Sequence, residues 1–208
     1  MQIDKIYIVH YTPLTERRAA LERMLQQQNI LNYEFITDYD RNTTPKGVMD
    51  QYFRGNSLVP AQICITISHL EIYKRIVENK YAMALILEDD AVLSPSFASS
   101  LQMYCENLPT DFEIGFLNDG CGYHAENVRT GTYWYRKDHT RTCCSYLITQ
   151  GCCEKLLQSS VPFHEVIDFE LNTQIRRQSL GCYWAEPTIV SDGSAHTYGQ
   201  SYLRFNQL

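Results

Sequence analysis

The chain has 208 residues, with 18 Lys and Arg against 24 Asp and Glu for a net charge of −6, and 44% of its residues are hydrophobic. That length and apolar content describe one folded domain, 1–208, either whole or one module of a longer chain, and exclude a disordered polymer. The longest unbroken apolar run, residues 81–87, falls far short of the roughly 20 needed to cross a bilayer, and no Lys/Arg cluster provides the phosphate footprint of a nucleic-acid binder. Residues 1–5 open the chain without a signal-peptide pattern, which favours a cytoplasmic location. Residues 6–9 read as a first strand. Thr12-Pro13 then has the cap-and-proline order of a helix start, and Leu14, Leu21, Met24 and Leu25 form one apolar stripe. Residues 33–36 predict a second strand, and 37–47 are rich in turn formers.

Leu70, Tyr73, Ile76 and Val77 recur at helical spacing within 61–78, and the all-apolar run 84–87 fits a buried central strand. Ser94-Pro95 repeats the helix-start signal, with an end at 107–109. Residues 112–116 alternate as a strand, and 118–122 form a turn. A strand at 145–149 precedes a helix around 153–157, followed by a helix at 167–179 and a closing strand at 182–185. Alternating strands and helices predict an α/β fold with a mostly parallel central sheet and its ligand crevice at the carboxyl ends of the strands.

Eight cysteines permit a disulfide framework. Adjacent pairs at Cys143-Cys144 and Cys152-Cys153 do not match zinc-ligand spacing, so buried reduced thiols are the plainer expectation. Glu88-Asp89-Asp90 places three carboxylates at the end of the most apolar strand, where a crevice is expected. Their mutual repulsion raises carboxyl pKa values unless a cation compensates, and oxygen-only ligation suits Mn²⁺ or Mg²⁺. The alternative is an acidic turn that favours the next helix through its dipole. Asp192 and His196, in a polar stretch after the last expected strand, are further candidate metal ligands, or an Asx turn and a loop histidine. Asp38 and Asp40 follow the second strand, where a base or ribose could rest. Arg17 could approach a phosphate or lie on a solvated helix face. The run Tyr133-Trp134-Tyr135 could stack on a sugar or simply be buried.

Three segments taken together resemble glycosyltransferase family 25. They are 6–11 with Glu16-Arg17-Arg18, 67–77 beginning Ile-Ser-His-Leu-Glu, and 84–92 around Glu88-Asp89-Asp90. The likeness continues through 144–149, 153–157, 166–169 and 186–192. Two positions depart from the family pattern: His10-Tyr11 stands where Asn-Leu is usual, and 61–64 lacks a Gly-Cys pair. The resemblance implies a GT-A, Rossmann-like nucleotide-sugar domain that uses a divalent metal and a UDP-sugar donor. It assigns Asp90 to the metal and Glu88 to the donor ribose or the metal shell, with Asp89 beside them. His10, Tyr11, Arg17, Asp38, Ser68 and His69 would border the donor, with Ser68-His69 near a helix start.

An inverting transfer also requires a carboxylate to take the proton of the acceptor hydroxyl. Asp168 is the candidate and Glu170 its reserve, the alternative for Asp168 being a helix cap. The implied activity moves galactose or glucose from a UDP-sugar to a glycan or protein hydroxyl. A catalytically silent relative that binds a glycan or a protein is the rival. A nucleotidyltransferase would also use clustered carboxylates, but the chain has no Gly-x-x-x-x-Gly-Lys phosphate loop.

Overall fold

The computed structural model describes residues 2–196, without the side chains of Ala195 and His196. Its elements in order are β1 (Lys5–Val9), α1 (Thr15–Gln27), β2 (Tyr33–Ile36), α2 (Lys46–Tyr52), α3 (Pro60–Glu78), β3 (Met83–Glu88), β4 (Ala91–Leu93), α4 (Phe97–Glu106), β5 (Ile114–Phe116), a 3-10 turn (Gly120–Gly122), β6 (Trp134–Lys137), β7 (Ser145–Thr149), α5 (Gln150–Ser159), α6 (Ile167–Arg177), β8 (Cys182–Ala185), β9 (Val190–Asp192) and α7 (Gly193–His196).

The fold is α/β around a seven-stranded sheet in the order β2-β1-β3-β7-β5-β8-β6. Strands β1, β2, β3, β5 and β8 run one way, while β7 and β6 are reversed, so the sheet is mostly parallel in direction but mixed in pairing. Because β3 is covered on both faces, it needs no alternation: Met83 to Leu87 are all buried. One apolar layer packs α3, α5 and α6 against the sheet through Ile67, Ile72, Leu156 and Ile175. The other holds α1 and α4 through Leu21, Leu25, Phe97 and Leu101.

Several local expectations change. Thr12-Pro13 does not begin α1: the helix starts at Thr15 behind Leu14, and the Thr12 hydroxyl instead donates to Asp40. Ser68 and His69 lie in the middle of α3 rather than near its start. The turn-rich stretch 37–47 leads directly into α2. The run 133–135 contributes to edge strand β6, where Trp134 is buried and its indole N–H donates to the Tyr104 carbonyl. β8 is not the last strand, because β9 follows and pairs antiparallel with β4 as a separate two-stranded sheet. All eight cysteines are free thiols, with Cys121 exposed and the other seven buried. No helix among the described residues is long and apolar enough to cross a membrane.

Candidate active site

Parallel β1 and β3 end side by side, with Val9 opposite Glu88, so the residues that follow both strands emerge at one sheet edge. There Asp89 Oδ2 pairs with His10 Nδ1 at 2.8 Å and accepts the Tyr11 backbone N–H at 3.2 Å. Arg17 Nη1 donates to Asp89 Oδ1 at 3.1 Å and to Asp90 Oδ2 at 3.2 Å. All four side chains in this group, His10, Arg17, Asp89 and Asp90, are buried. The Ser194 hydroxyl also donates to Asp90 Oδ2. Antiparallel pairing of β4 and β9 sets Ala91 opposite Asp192, which brings the chain's distal end back to the acidic strand end.

Glu88, Asp90, Asp168 and Asp192 thereby face one region. Burial raises the Glu88 carboxyl well above the ordinary range, reinforced by Asp90, Asp168, Asp192 and Asp89 in that order. Asp90 is also raised by burial and by Asp192, against the opposing pull of Ser194 and Arg17. Burial raises Asp168 as well, although hydrogen bonds from Cys143 partly offset it, and its Oδ1 is buried without a hydrogen-bond partner. Burial and mutual repulsion both disfavour ionising these carboxyls together, and a bound cation would relieve both. Among the described residues no three His, Cys, Asp or Glu side chains form a metal-binding group by themselves. The donor set nevertheless fits a hard cation that takes one or two carboxylates and completes its shell with water and substrate phosphates.

Behind Glu88 the cluster continues into the core. His69 Nε2 lies 3.3 Å from Glu88 Oε1, and His69 Nδ1 lies 2.7 Å from the Tyr146 hydroxyl, which is 2.8 Å from that of Tyr73. Burial holds the His69 imidazole down to about 3, so at neutral pH it is an uncharged partner that fixes the Glu88 side chain.

The other expected site residues are placed differently. Arg17 is neither solvated nor open to a phosphate through its Nη1, which is committed to Asp89 and Asp90. Ser68 turns its hydroxyl back to the Cys64 carbonyl at 3.0 Å within α3. Asp38 is exposed and pairs with Arg75 at 2.9 Å, while buried Asp40 organises its own turn by accepting the Asn42 N–H at 2.8 Å. The Tyr11 ring lies under Arg41 at 3.9 Å, and its hydroxyl accepts from Asn42 Nδ2 at 2.6 Å. Asp168 is inside the first turn of α6, whose cap position is Val166, so Asp168 is not the cap. Glu170 is buried and accepts a hydrogen bond from Gln174 Nε2 at 2.9 Å. The expected His196 ligand lies outside the described side chains.

Sequence reasoning passed over Asp119 and Ser194. Asp119 Oδ1 accepts the Asp192 backbone N–H at 3.0 Å, and Asp119 follows β5 at the same strand ends. Its place in Asn-Asp-Gly reads first as a turn, yet the crevice rule that singled out Glu88 applies to it equally.

The profile of glycosyltransferase family 25 (LPS biosynthesis protein) matches residues 3–128, more than half of the chain. The chain belongs to glycosyltransferase family 25. Among curated relatives, a protein of Acanthamoeba polyphaga mimivirus named as a glycosyltransferase is 30% identical over 107 residues, covering 49% of this chain and 33% of the relative. The procollagen lysyl hydroxylase and glycosyltransferase of the same virus is 20% identical over 156 residues, covering 65% of this chain and 17% of the relative. The chain thus spans a third or less of the length of these relatives. A crystal structure of a protein from STIV is similar at a TM-score of 0.48 and 11% identity, covering 91% of this chain and 83% of that one.

Proposed function

We propose that this domain is a metal-dependent, inverting glycosyltransferase that moves a hexose, galactose or glucose, from a UDP-sugar to a hydroxyl of a glycan or protein acceptor. The observation that carries the reading is the convergence of Glu88, Asp90, Asp168 and Asp192 at the strand ends of a family 25 domain, with the Glu88, Asp90 and Asp168 carboxyls all raised. Mn²⁺ or Mg²⁺ would be held by Asp90 and Asp192 with Glu88 in its shell, and when bound would neutralise the charge of the departing diphosphate. The chain's own part is positional. His10 and Arg17 fix Asp89 and Asp90, and His69 fixes Glu88. Asp168 presents a buried oxygen, Oδ1, without a hydrogen-bond partner and free to accept the proton of the acceptor hydroxyl. A mimivirus relative named for procollagen makes a protein hydroxyl one acceptor class to include. The test is a panel of UDP-sugars with and without Mn²⁺, scoring UDP release with and without acceptors. Metal-dependent release from one donor supports the reading, and none from any donor overturns it.

A second reading, a catalytically silent relative that binds a glycan or a protein, has its own support. Arg17 already supplies a positive charge to Asp89 and Asp90, which lessens their need for a metal. Calorimetry with the same donors separates the two, because glycan binding without UDP-sugar binding or turnover favours the silent protein.

A further inference from the structure

Tyr123 is among the few large apolar side chains left at the surface, with 53% of its area exposed. Single exposed rings are ordinary, but this one is mounted rigidly. Its carbonyl accepts from Arg141 Nε at 2.7 Å, and Arg141 is fully buried, donating also to the Ala185 carbonyl at 2.9 Å and to Glu186. One face of the ring stacks on buried Trp184 at a centroid distance of 6.0 Å and an interplanar angle of 8°. The Arg141 guanidinium lies 4.8 Å from the centroid of the same indole. Glu186 in turn accepts the Ala125 N–H at 2.8 Å, closing the loop beyond the ring. A buried ion pair contributes little stability over an apolar substitute, so its use here to hold an exposed aromatic calls for a positional explanation.

The mounting also fixes where the ring stands. Gly122 N donates to the Asp119 carbonyl at 2.9 Å and Tyr123 N to the Gly120 carbonyl at 3.3 Å, so Tyr123 ends a tight turn that begins at Asp119. Asp119 holds Asp192 of the carboxylate cluster. We propose that Tyr123 is the stacking platform for a pyranose ring of the acceptor glycan. The C–H face of a pyranose suits a flat aromatic surface. The word acceptor rests on the transferase reading, whereas pyranose binding does not.

The experiment titrates methyl glycosides of galactose, glucose and mannose, and separately a lysine-rich peptide, into wild-type protein and the variants Tyr123→Phe, Tyr123→Leu and Tyr123→Ala by ligand-observed NMR. Circular dichroism of each variant reports folding. The expected result is glycoside binding kept in Tyr123→Phe and weakened about tenfold in the other two, the scale of one aromatic contact. The leucine variant preserves bulk and stands in should the alanine variant fail to fold. No glycoside binding by wild type, equal binding by folded Tyr123→Leu, or binding of the peptide alone overturns the proposal. Glycoside binding by a protein that releases UDP from no donor overturns the transferase reading and leaves the platform standing.

Discussion

At the scale of single residues, the cluster separates charges that support each other from those that await a partner. Arg17 belongs to the first kind, since its loss strands two buried carboxylates. Arg17→Ala is expected to lower unfolding free energy by about 3–5 kcal/mol, the usual cost of removing one partner of a buried pair. Urea denaturation checks this, and an unchanged midpoint would mean that other groups neutralise Asp89 and Asp90. Asp168 belongs to the second kind. Asp168→Asn is expected to keep donor binding but reduce transfer by roughly 10²–10⁴, the scale of a lost general base. A variant that loses stability with unchanged turnover per folded molecule would make Asp168 structural instead. His69 gives a pH signature. Its imidazole is held at about 3 when folded, against an ordinary value of 6.5 for a solvated histidine. Between these values the unfolded chain binds a proton that the folded chain refuses, so acidification destabilises by up to about 1.4 kcal/mol per pH unit. His69→Phe removes that slope, and its stability deficit relative to wild type should therefore shrink from neutral pH to about pH 4. Parallel stability curves would contradict a neutral buried imidazole.

At the scale of elements, the sequence was most readable where a strand or helix is long and uniformly patterned. The 84–87 run marks β3, the 61–78 periodicity marks α3 to within a residue, and 182–185 coincides with β8. β4 and β9 have three residues each, too short for any period, and Ser191-Asp192 in β9 is polar enough to read as loop. The reversal of β7 was equally hidden, because a buried strand looks the same in either direction. For that reason the acidic strand end and Asp192 were both legible as residues, while their meeting across the β4–β9 pair was not. Within the aromatic run at 133–135, Tyr133 packs on Tyr104 and Trp134 on Tyr104 and Phe112, the buried alternative of the two that the sequence offered. A structural test falls on Gly181, which joins α6 to β8. A methyl group there would overlap the Asp111 carbonyl oxygen, and the Gly181 carbonyl accepts from Glu113 and Ile114 beside β5. Gly181→Ala should cost about 1–3 kcal/mol through overpacking, measured by thermal unfolding. An unaltered midpoint would show that the 109–113 segment yields freely.

At the scale of the whole molecule, the raised carboxyls make stability depend jointly on pH and metal. Glu88, Asp90 and Asp168 bind protons more tightly folded than unfolded. Their stabilisation is complete below the unfolded carboxyl values and is lost as pH rises through the folded ones. Millimolar Mn²⁺ should therefore raise the melting temperature more at about pH 7.5 than at about pH 5, because protons compete with the metal for the same carboxylates. A shift independent of pH would place the metal elsewhere. The β4–β9 pair also bears on how the molecule comes into being. Ser194 reaches Asp90 across 104 positions of chain, and pairing over such a span is among the slowest steps of folding. Synthesis from the ribosome delivers β9 after every strand of the main sheet, so the last acidic partner arrives only when the scaffold that must withstand its repulsion already exists. The order of translation thus postpones the meeting of Asp192 with Glu88 and Asp90 until the rest of the protein can restrain it.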